Sequence, residues 1–255
     1  MIAAQRRGLI LDYLRKKGAG SIVEIADSIG TSGSSTRRDL DFLAKDGSVI
    51  RSRGGAVFND KHGTIYEPPR HVGAKTSLIQ KAAIGRAARQ LLKPSQSVIF
   101  DSSSTVLEVA RAAAEAGLQI TACTNDIGTG QVLSTAAEMQ VVVLGGTLRP
   151  NSMTLVGEPG VSFLERLHVD LALMGIHSLA GARLSETSIE VAAMKRRMID
   201  CAARVIVLAD SSKFTLPAFC DVCGLEFVDV IISDSGLDER SMSMIRDAGV
   251  ELIIA

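Results

Sequence analysis

The chain has 255 residues, with 28 Lys and Arg against 28 Asp and Glu and 46% hydrophobic residues, enough for one large packed domain and a small accessory one. No apolar run approaches the ~20 residues of a membrane span, and Met1 to Arg7 lead into an amphipathic helix without a signal-peptide core, so a soluble cytoplasmic protein is expected. Net charge is zero, but residues 1–57 hold ten Lys and Arg against six Asp and Glu, a local excess small enough to imply weak electrostatic affinity per subunit and a need for paired subunits.

Leu9, Ile10, Leu11 and Leu14 form the apolar side of a first helix. Ser21-Ile22-Val23-Glu24 has the capping-box spacing of a second, whose inner face is Ile22, Ile25, Ala26 and Ile29. Gly30-Thr31-Ser32-Gly33 reads as a tight turn. A third helix then turns Leu40, Leu43 and Ala44 inward and carries Ser34, Ser35, Thr36, Arg37 and Arg38 near its start. That order of parts is helix-turn-helix geometry, in which the first turns of the last helix enter the major groove. Short hydroxyls there approach phosphates or base edges, and guanidinium forks pair with phosphate or guanine. Adjacent arginines point about 100° apart on a helix, which leaves open which of Arg37 and Arg38 reads a base. Beyond Gly47, Ser48 to Arg53 alternates like a short strand and is expected to place Arg51 and Arg53 on one face of a hairpin, facing the DNA backbone. Ser32, Ser34, Ser35, Thr36, Arg37, Arg38, Arg51 and Arg53 are therefore the candidate DNA-contacting residues.

Thr36, Arg37, Arg38, Asp39 and Leu40, followed by Arg51, Gly54, Gly55 and Ala56, resemble the signature of the DeoR family of bacterial transcription regulators. The resemblance extends over the whole chain. Gly33, Ser34 and Ser35 stand where bulkier residues are usual, which leaves base preference open.

Residues 1–57 are read as a winged helix-turn-helix domain and 58–74, with Pro68-Pro69 and no sustained period, as a linker. Residues 75–255 are read as an α/β domain built on a mostly parallel sheet. Its first helix runs from Lys75 to Leu92. The strand candidates are Ser97 to Phe100, Gln119 to Cys123, Gln140 to Leu144, Asp170 to Met174, Arg204 to Leu208, Asp229 to Ser233 and Val250 to Ile254. The intervening helices are Thr105 to Glu115, Ile127 to Ala136, Val161 to Leu167, Ser188 to Ala202 and Glu239 to Ala248.

Ligands of open α/β sheets bind beyond the carboxyl ends of the strands. Here those ends are small and polar. Asp101-Ser102-Ser103-Ser104-Thr105 leads into a helix and forms a natural phosphate cradle. Thr124-Asn125-Asp126 ends the next strand, and Gly145-Gly146-Thr147 ends the one after, where glycines are expected to let a ligand approach backbone. Asp210-Ser211-Ser212-Lys213 brings an ammonium to the same end, and Glu190 and Lys195 add polar groups from a flanking helix whose run Lys195-Arg196-Arg197 otherwise reads as a solvated face. The candidate effector residues are Asp101, Ser102, Ser103, Ser104, Thr105, Thr124, Asn125, Gly145, Gly146, Glu190, Lys195 and Lys213. Asp101, Thr105, Thr124, Asn125, Gly145, Gly146, Glu190, Lys195 and Asp210 to Lys213 also match places in the family's sensor domain. That resemblance implies a fold similar to ribose-5-phosphate isomerase and CoA-transferase-like proteins and a phosphorylated sugar as effector. Ser103 stands where a loop glycine is usual, and Gly175 to Gly181 departs from the family's common form.

No cofactor and no metal is expected. Cys220 and Cys223 have ligand-like spacing without a second pair, Cys123 and Cys201 read as free thiols, and His62, His71, His168 and His177 are scattered. Gly128-Thr129-Gly130 lacks the third glycine of a dinucleotide fingerprint, and no Walker motif or nucleophile elbow occurs. The reading is a DNA-binding regulator, a repressor of a carbohydrate catabolic operon, released from its operator by a phosphorylated sugar and acting as a homo-oligomer on paired half-sites. The alternative is a sugar-phosphate isomerase using Lys213 with Asp101 or Asp210. A DNA reader has no purpose in such an enzyme.

Overall fold

The structure is a computed structural model that describes residues 2–45, 47–59, 64 and 77–255. Most of the expected linker, with His62, His71 and Pro68-Pro69, and the expected helix start at Lys75 lie outside the described residues. The chain divides into two compact units, residues 1–78 and 79–255.

In the first unit α1 (Ala3–Lys17), α2 (Ile22–Ile29) and α3 (Gly33–Lys45) pack beside a three-stranded sheet of order β1-β3-β2, formed by Ala19–Ser21, Val49–Ser52 and Gly55–Phe58. The capping box at Ser21 is present in full: its hydroxyl accepts from Glu24 N–H, and the Glu24 carboxylate accepts from Ser21 N–H at 2.8 Å. Gly30, at φ +64°, ends α2 in the left-handed region and turns the chain into α3. Ile10, Leu14, Ile25, Leu40, Leu43 and Val49 form the buried centre of this unit. The two glycines of the hairpin have separate reasons. Gly54 has φ +88°, and a Cβ on Gly55 would fall 2.2 Å from the Gly20 carbonyl oxygen, so β3 lies flat on β1 only without a side chain there.

The second unit is a parallel seven-stranded sheet of order β15-β14-β12-β9-β4-β5-β6. Its strands are β4 (Ser97–Phe100), β5 (Thr121–Thr124), β6 (Gln140–Val143), β9 (Leu171–Gly175), β12 (Val205–Leu208), β14 (Val230–Ser233) and β15 (Glu251–Ile254). Side chains alternate between two faces: Val205 and Val207 of β12 join one core cluster, Ile206 and Leu208 the other. Both faces are covered, so the strands read as unbroken apolar runs. On one face lie α4 (Leu78–Arg89), α5 (Ser104–Glu115) and α6 (Ile127–Leu133). On the other lie α7 (Gly160–Leu164), α8 (Ile189–Asp200) and α9 (Glu239–Asp247).

Two smaller β units were not anticipated. β7 (Thr147–Leu148) and β8 (Leu155–Val156) form a short antiparallel pair, and β10 (Ser178–Ala180), β11 (Arg183–Glu186) and β13 (Cys220–Gly224) form a three-stranded antiparallel sheet. Gly181 (φ +53°) and Ala182 (φ +63°) make the two-residue turn between β10 and β11. The expected helix to Ala136 stops at Leu133.

The chain lays β4, β5 and β6 outward in one direction, then returns to set β9 on the other side of β4 and continues through β12, β14 and β15. The strand order therefore reverses between β4 and β9, and the crevice beyond their carboxyl ends is the ligand position of such sheets.

Candidate DNA-reading surface and effector site

Ser32 precedes α3 and caps it. Its hydroxyl accepts from Ser35 N–H at 3.2 Å and lies within 3.1 Å of the Ser34 and Ser35 hydroxyls. Ser32, Ser34, Arg37 and Arg38 are exposed and Ser35 is half-buried, so they share the outer side of the helix start. Arg37 has no polar partner among the described residues. Arg38 Nε donates to the Ser34 carbonyl at 3.4 Å.

Thr36 corrects the sequence reading. It is fully buried and its hydroxyl donates to the Ser32 carbonyl at 3.1 Å, so it faces the core and braces the turn instead of reaching DNA. Arg53 also differs from expectation, since β2 ends at Ser52 and Arg53 occupies the turn instead of sharing a strand face with Arg51. Arg51 is itself engaged, with Nε 2.9 Å from Asp41 and an NH group on the Gly55 carbonyl, so it holds the hairpin against α3. A further clamp had no signal in spacing. Buried Asp39 on α3 takes Nε of Arg6 and, at 3.0 Å, Nε of Arg7, while the Arg7 guanidinium stacks 3.5 Å above the Phe42 ring. Arg6 and Arg7 thus fasten α1 to α3, and Arg37, Arg38 and Arg53 remain outward.

In the second unit Asp101 stands at the end of β4, fully buried. One carboxylate oxygen accepts from Ser103 N–H at 2.8 Å, and the other accepts from Gly175 N–H, at the end of β9, and lies 3.0 Å from Lys195 Nζ. Lys195 Nζ also lies 2.6 Å from Glu186 and donates to the Gly175 carbonyl. The three ammonium protons thus have three acceptors. Burial opposes the charge on Lys195, but Asp101 and Glu186 outweigh it and hold its pKa above the ordinary lysine value. Burial pushes the Asp101 carboxyl up, against the pull of Lys195. Lys195 and Asp101 therefore position the loop from β4 and do not offer free charges to a ligand, a correction to the sequence reading. Glu186, the second acceptor, was missed. The basic run splits accordingly, with Lys195 inside, Arg196 on the Asp221 carbonyl and Arg197 paired with Glu165 and Asp200 at the surface.

Ser103 caps α5 by accepting from Val106 N–H at 3.1 Å. The first-turn N–H groups of Ser104 and Thr105 are without partners among the described residues, which leaves an anion-binding helix start beside the half-buried hydroxyls of Ser102 and Ser104. Thr124 and Asn125 are buried at the end of β5. Thr124 Oγ1 accepts from Asp126 N–H, and Asp126 caps α6 through Thr129.

Gly145 and Gly146 depart from expectation. A Cβ on Gly145 would meet Pro159 at 2.8 Å, and one on Gly146 would meet the Val156 carbonyl at 2.7 Å. Their missing side chains admit the chain's own Pro159 and Val156, not a ligand. Glu190 is exposed at the start of α8, where its carboxylate accepts from the Ser188 hydroxyl at 2.7 Å.

At the end of β12, Asp210 caps the turn Ser211–Lys213. Burial opposes ionisation of Asp210, but Lys213, Ser212 and Lys81 outweigh it and hold the carboxyl below its ordinary value. Lys81 on α4 is buried and was missed. Its signal was a lysine one turn from Ile84, inside an apolar helix face. Asp234 steadies the same turn by accepting from Ser211 N–H at 2.6 Å.

A helix-turn-helix head with outward arginines, joined to an α/β domain whose strand ends converge on a cradle, defines a DNA-binding transcriptional regulator with a sensor domain. The chain belongs to the DeoR family. Residues 6–62 match the DeoR-like helix-turn-helix domain and residues 77–235 the DeoR C terminal sensor domain. It is 31% identical to a putative aga operon transcriptional repressor of Escherichia coli O157:H7 over 98% of this chain and 93% of that one. It is also 31% identical to the transcriptional repressor GlcR of Bacillus subtilis over 100% of this chain and 97% of that one. A ribose 5-phosphate isomerase A of Methanocaldococcus jannaschii is similar at TM-score 0.41 and 16% identity, covering 55% of this chain and 56% of that one. The protein is a regulator and not an isomerase. Among the described residues no helix is long and apolar enough to cross a membrane, and no group of His, Cys, Asp and Glu is placed to hold a metal ion.

Proposed function

We propose that this regulator represses a carbohydrate catabolic operon and leaves its operator when a phosphorylated sugar binds beyond β4, β5, β9 and β12. The observation that carries the reading is the cradle at the reversal of strand order. Two unpartnered N–H groups open α5, serine hydroxyls flank them, and Lys213 stands at the end of β12. A phosphate suits the helix start, and sugar hydroxyls suit the buried amide and hydroxyl groups beside it. Relatives described as repressors support the direction of control.

Residues 1–57 serve as the reader and 75–255 as the sensor, in a cytoplasmic homo-oligomer that sets two readers on paired half-sites. Ser32, Ser34, Ser35, Arg37, Arg38 and Arg53 face the DNA, with Arg51 shaping the wing. Ser102, Ser104, Thr105, Asn125 and Lys213 meet the effector. A tenfold loss of operator affinity requires only about 1.4 kcal/mol of difference in effector affinity between the two arrangements of the protein.

The test is selection of the source organism's sheared genomic DNA on the purified protein at physiological salt, with and without a mixture of sugar phosphates. Enrichment of a few sites with repeated half-sites, lost on adding the mixture, is expected. Enrichment that the mixture leaves unchanged overturns the effector class, and no enrichment in either arm overturns the reader.

A further inference from the structure

At the ends of the strands that border the cradle, the amide of Asn125 has its chemistry half used. Asn125 is buried, and its Nδ2 donates to the Leu155 carbonyl at 3.1 Å while its own backbone carbonyl accepts from Leu155 N–H at 2.7 Å. Leu155, on β8, thus clasps the residue at both ends. The clasp fixes the amide, because turning it over would set Oδ1 against the Leu155 carbonyl oxygen, two acceptors facing each other. Oδ1 is left enclosed by protein and without a donor among the described residues. A buried acceptor in this state costs free energy until something donates to it.

Its place in the fold says what that something is. Phe100 of β4 pairs with Thr124 of β5, so Asp101 and Asn125 leave the sheet side by side at the cradle. Asp101 is an acceptor already supplied with Ser103 N–H, Gly175 N–H and Lys195. The phosphate of an effector is mostly the dianion at neutral pH, an acceptor with no proton to give to Oδ1. A hydroxyl has one.

We infer that Asn125 is the specificity-determining residue of the sensor: its Oδ1 accepts from one particular hydroxyl of a polyol effector, and analogues lacking that hydroxyl are rejected. The inference rests on the proposed effector class for the phosphate alone. The demand for a hydroxyl comes from Asn125 itself.

The experiment is calorimetric titration of the full chain and of Asn125→Ala and Asn125→Asp. The probes are glucose 6-phosphate, ribose 5-phosphate, their mono-deoxy analogues, the unphosphorylated sugars and inorganic phosphate. Removing one hydroxyl from a bound sugar should weaken wild-type binding by about ten- to a hundredfold. Asn125→Ala should lose the same factor with the parent sugar and lose nothing more with that deoxy analogue. Asn125→Asp keeps the acceptor but sets its second oxygen against the Leu155 carbonyl, so it should bind more weakly overall and still rank the parent above the analogue. Losses that multiply in the combination, or deoxy analogues that all bind as well as the parent, overturn the role of Asn125. If only unphosphorylated sugars bind and show this pattern, the phosphate reading fails and Asn125 stands. If no sugar of either kind binds the wild type, both fail.

Discussion

Ser103 occupies the space that a side chain on Gly175 would fill: a Cβ built on Gly175 falls 2.2 Å from Ser103 Oγ and 2.3 Å from its Cβ, but 3.8 Å from its Cα. The end of β9 and the cap of α5 are therefore one packed unit, tied again by Gly175 N–H donating to Asp101. Gly175→Ala should destabilise the sensor by about 1–3 kcal/mol through overpacking and displace the cradle. Ser103→Gly removes the two clashing atoms, so the double variant should recover most of that loss. Urea unfolding of the four proteins of this cycle checks it, and strictly additive losses would refute the shared space.

Lys195 is the counter-ion of two buried carboxylates. Lys195→Met should cost about 3–5 kcal/mol, since Asp101 and Glu186 are then enclosed without a cation. Adding Glu186→Gln should restore part of this by removing one negative charge. Thermal melts of single and double variants measure the recovery, and a double variant no more stable than Lys195→Met would contradict the pairing.

Within α3 the inward and outward residues should separate cleanly. Arg37→Ala or Arg38→Ala should weaken operator binding by about 1–3 kcal/mol without lowering the melting temperature. Thr36→Val should instead lower head stability by about 1 kcal/mol and leave sequence preference unchanged. Binding titrations on a selected operator, run beside melts, distinguish the two classes.

Acid should act on Asp210 with a definite sign. Its carboxyl is held low in the folded protein, chiefly by Lys213 against the opposing effect of burial. The stability it contributes is therefore present above the ordinary aspartate range and is lost as pH falls through the lower folded value. Asp101, raised by burial, works the other way: its contribution is present in acid and fades as pH rises through its folded value. Asp210→Asn should thus flatten the acid side of the stability profile, read as urea midpoints between about pH 3 and 7. An acid limb as steep as the wild type's would rule out this role.

The seven strands of the parallel sheet were legible because both faces are covered, which writes each as an apolar run between polar loops. β7, β8, β10, β11 and β13 are only two to five residues long and mix apolar with small or charged residues, so they carry little such signal. Among site residues, Arg37 and Arg38 could be set outward from helical period alone. Thr36 could not, because a small polar residue looks alike whether it braces a core or faces solvent. Lys195 and Asp101 were found as site residues but assigned as ligand contacts, since their mutual saturation depends on Glu186 and Gly175, brought in from β11 and β9. The glycines at Gly145 and Gly146 signalled a close approach correctly, but the approaching partner was Pro159 and Val156.

The central claim is that one chain carries two separable devices, an arginine reader and an effector cradle. Its most direct test is fluorescence anisotropy of a selected operator bound to wild type, Arg37→Ala and Lys213→Ala, each titrated with the sugar phosphate that releases the wild type. Arg37→Ala should bind the operator about ten- to a hundredfold more weakly but be released over the wild-type range of ligand, and Lys213→Ala should bind the operator normally but require much more ligand for release. Release of Lys213→Ala at the wild-type ligand concentration would contradict the placement of the cradle.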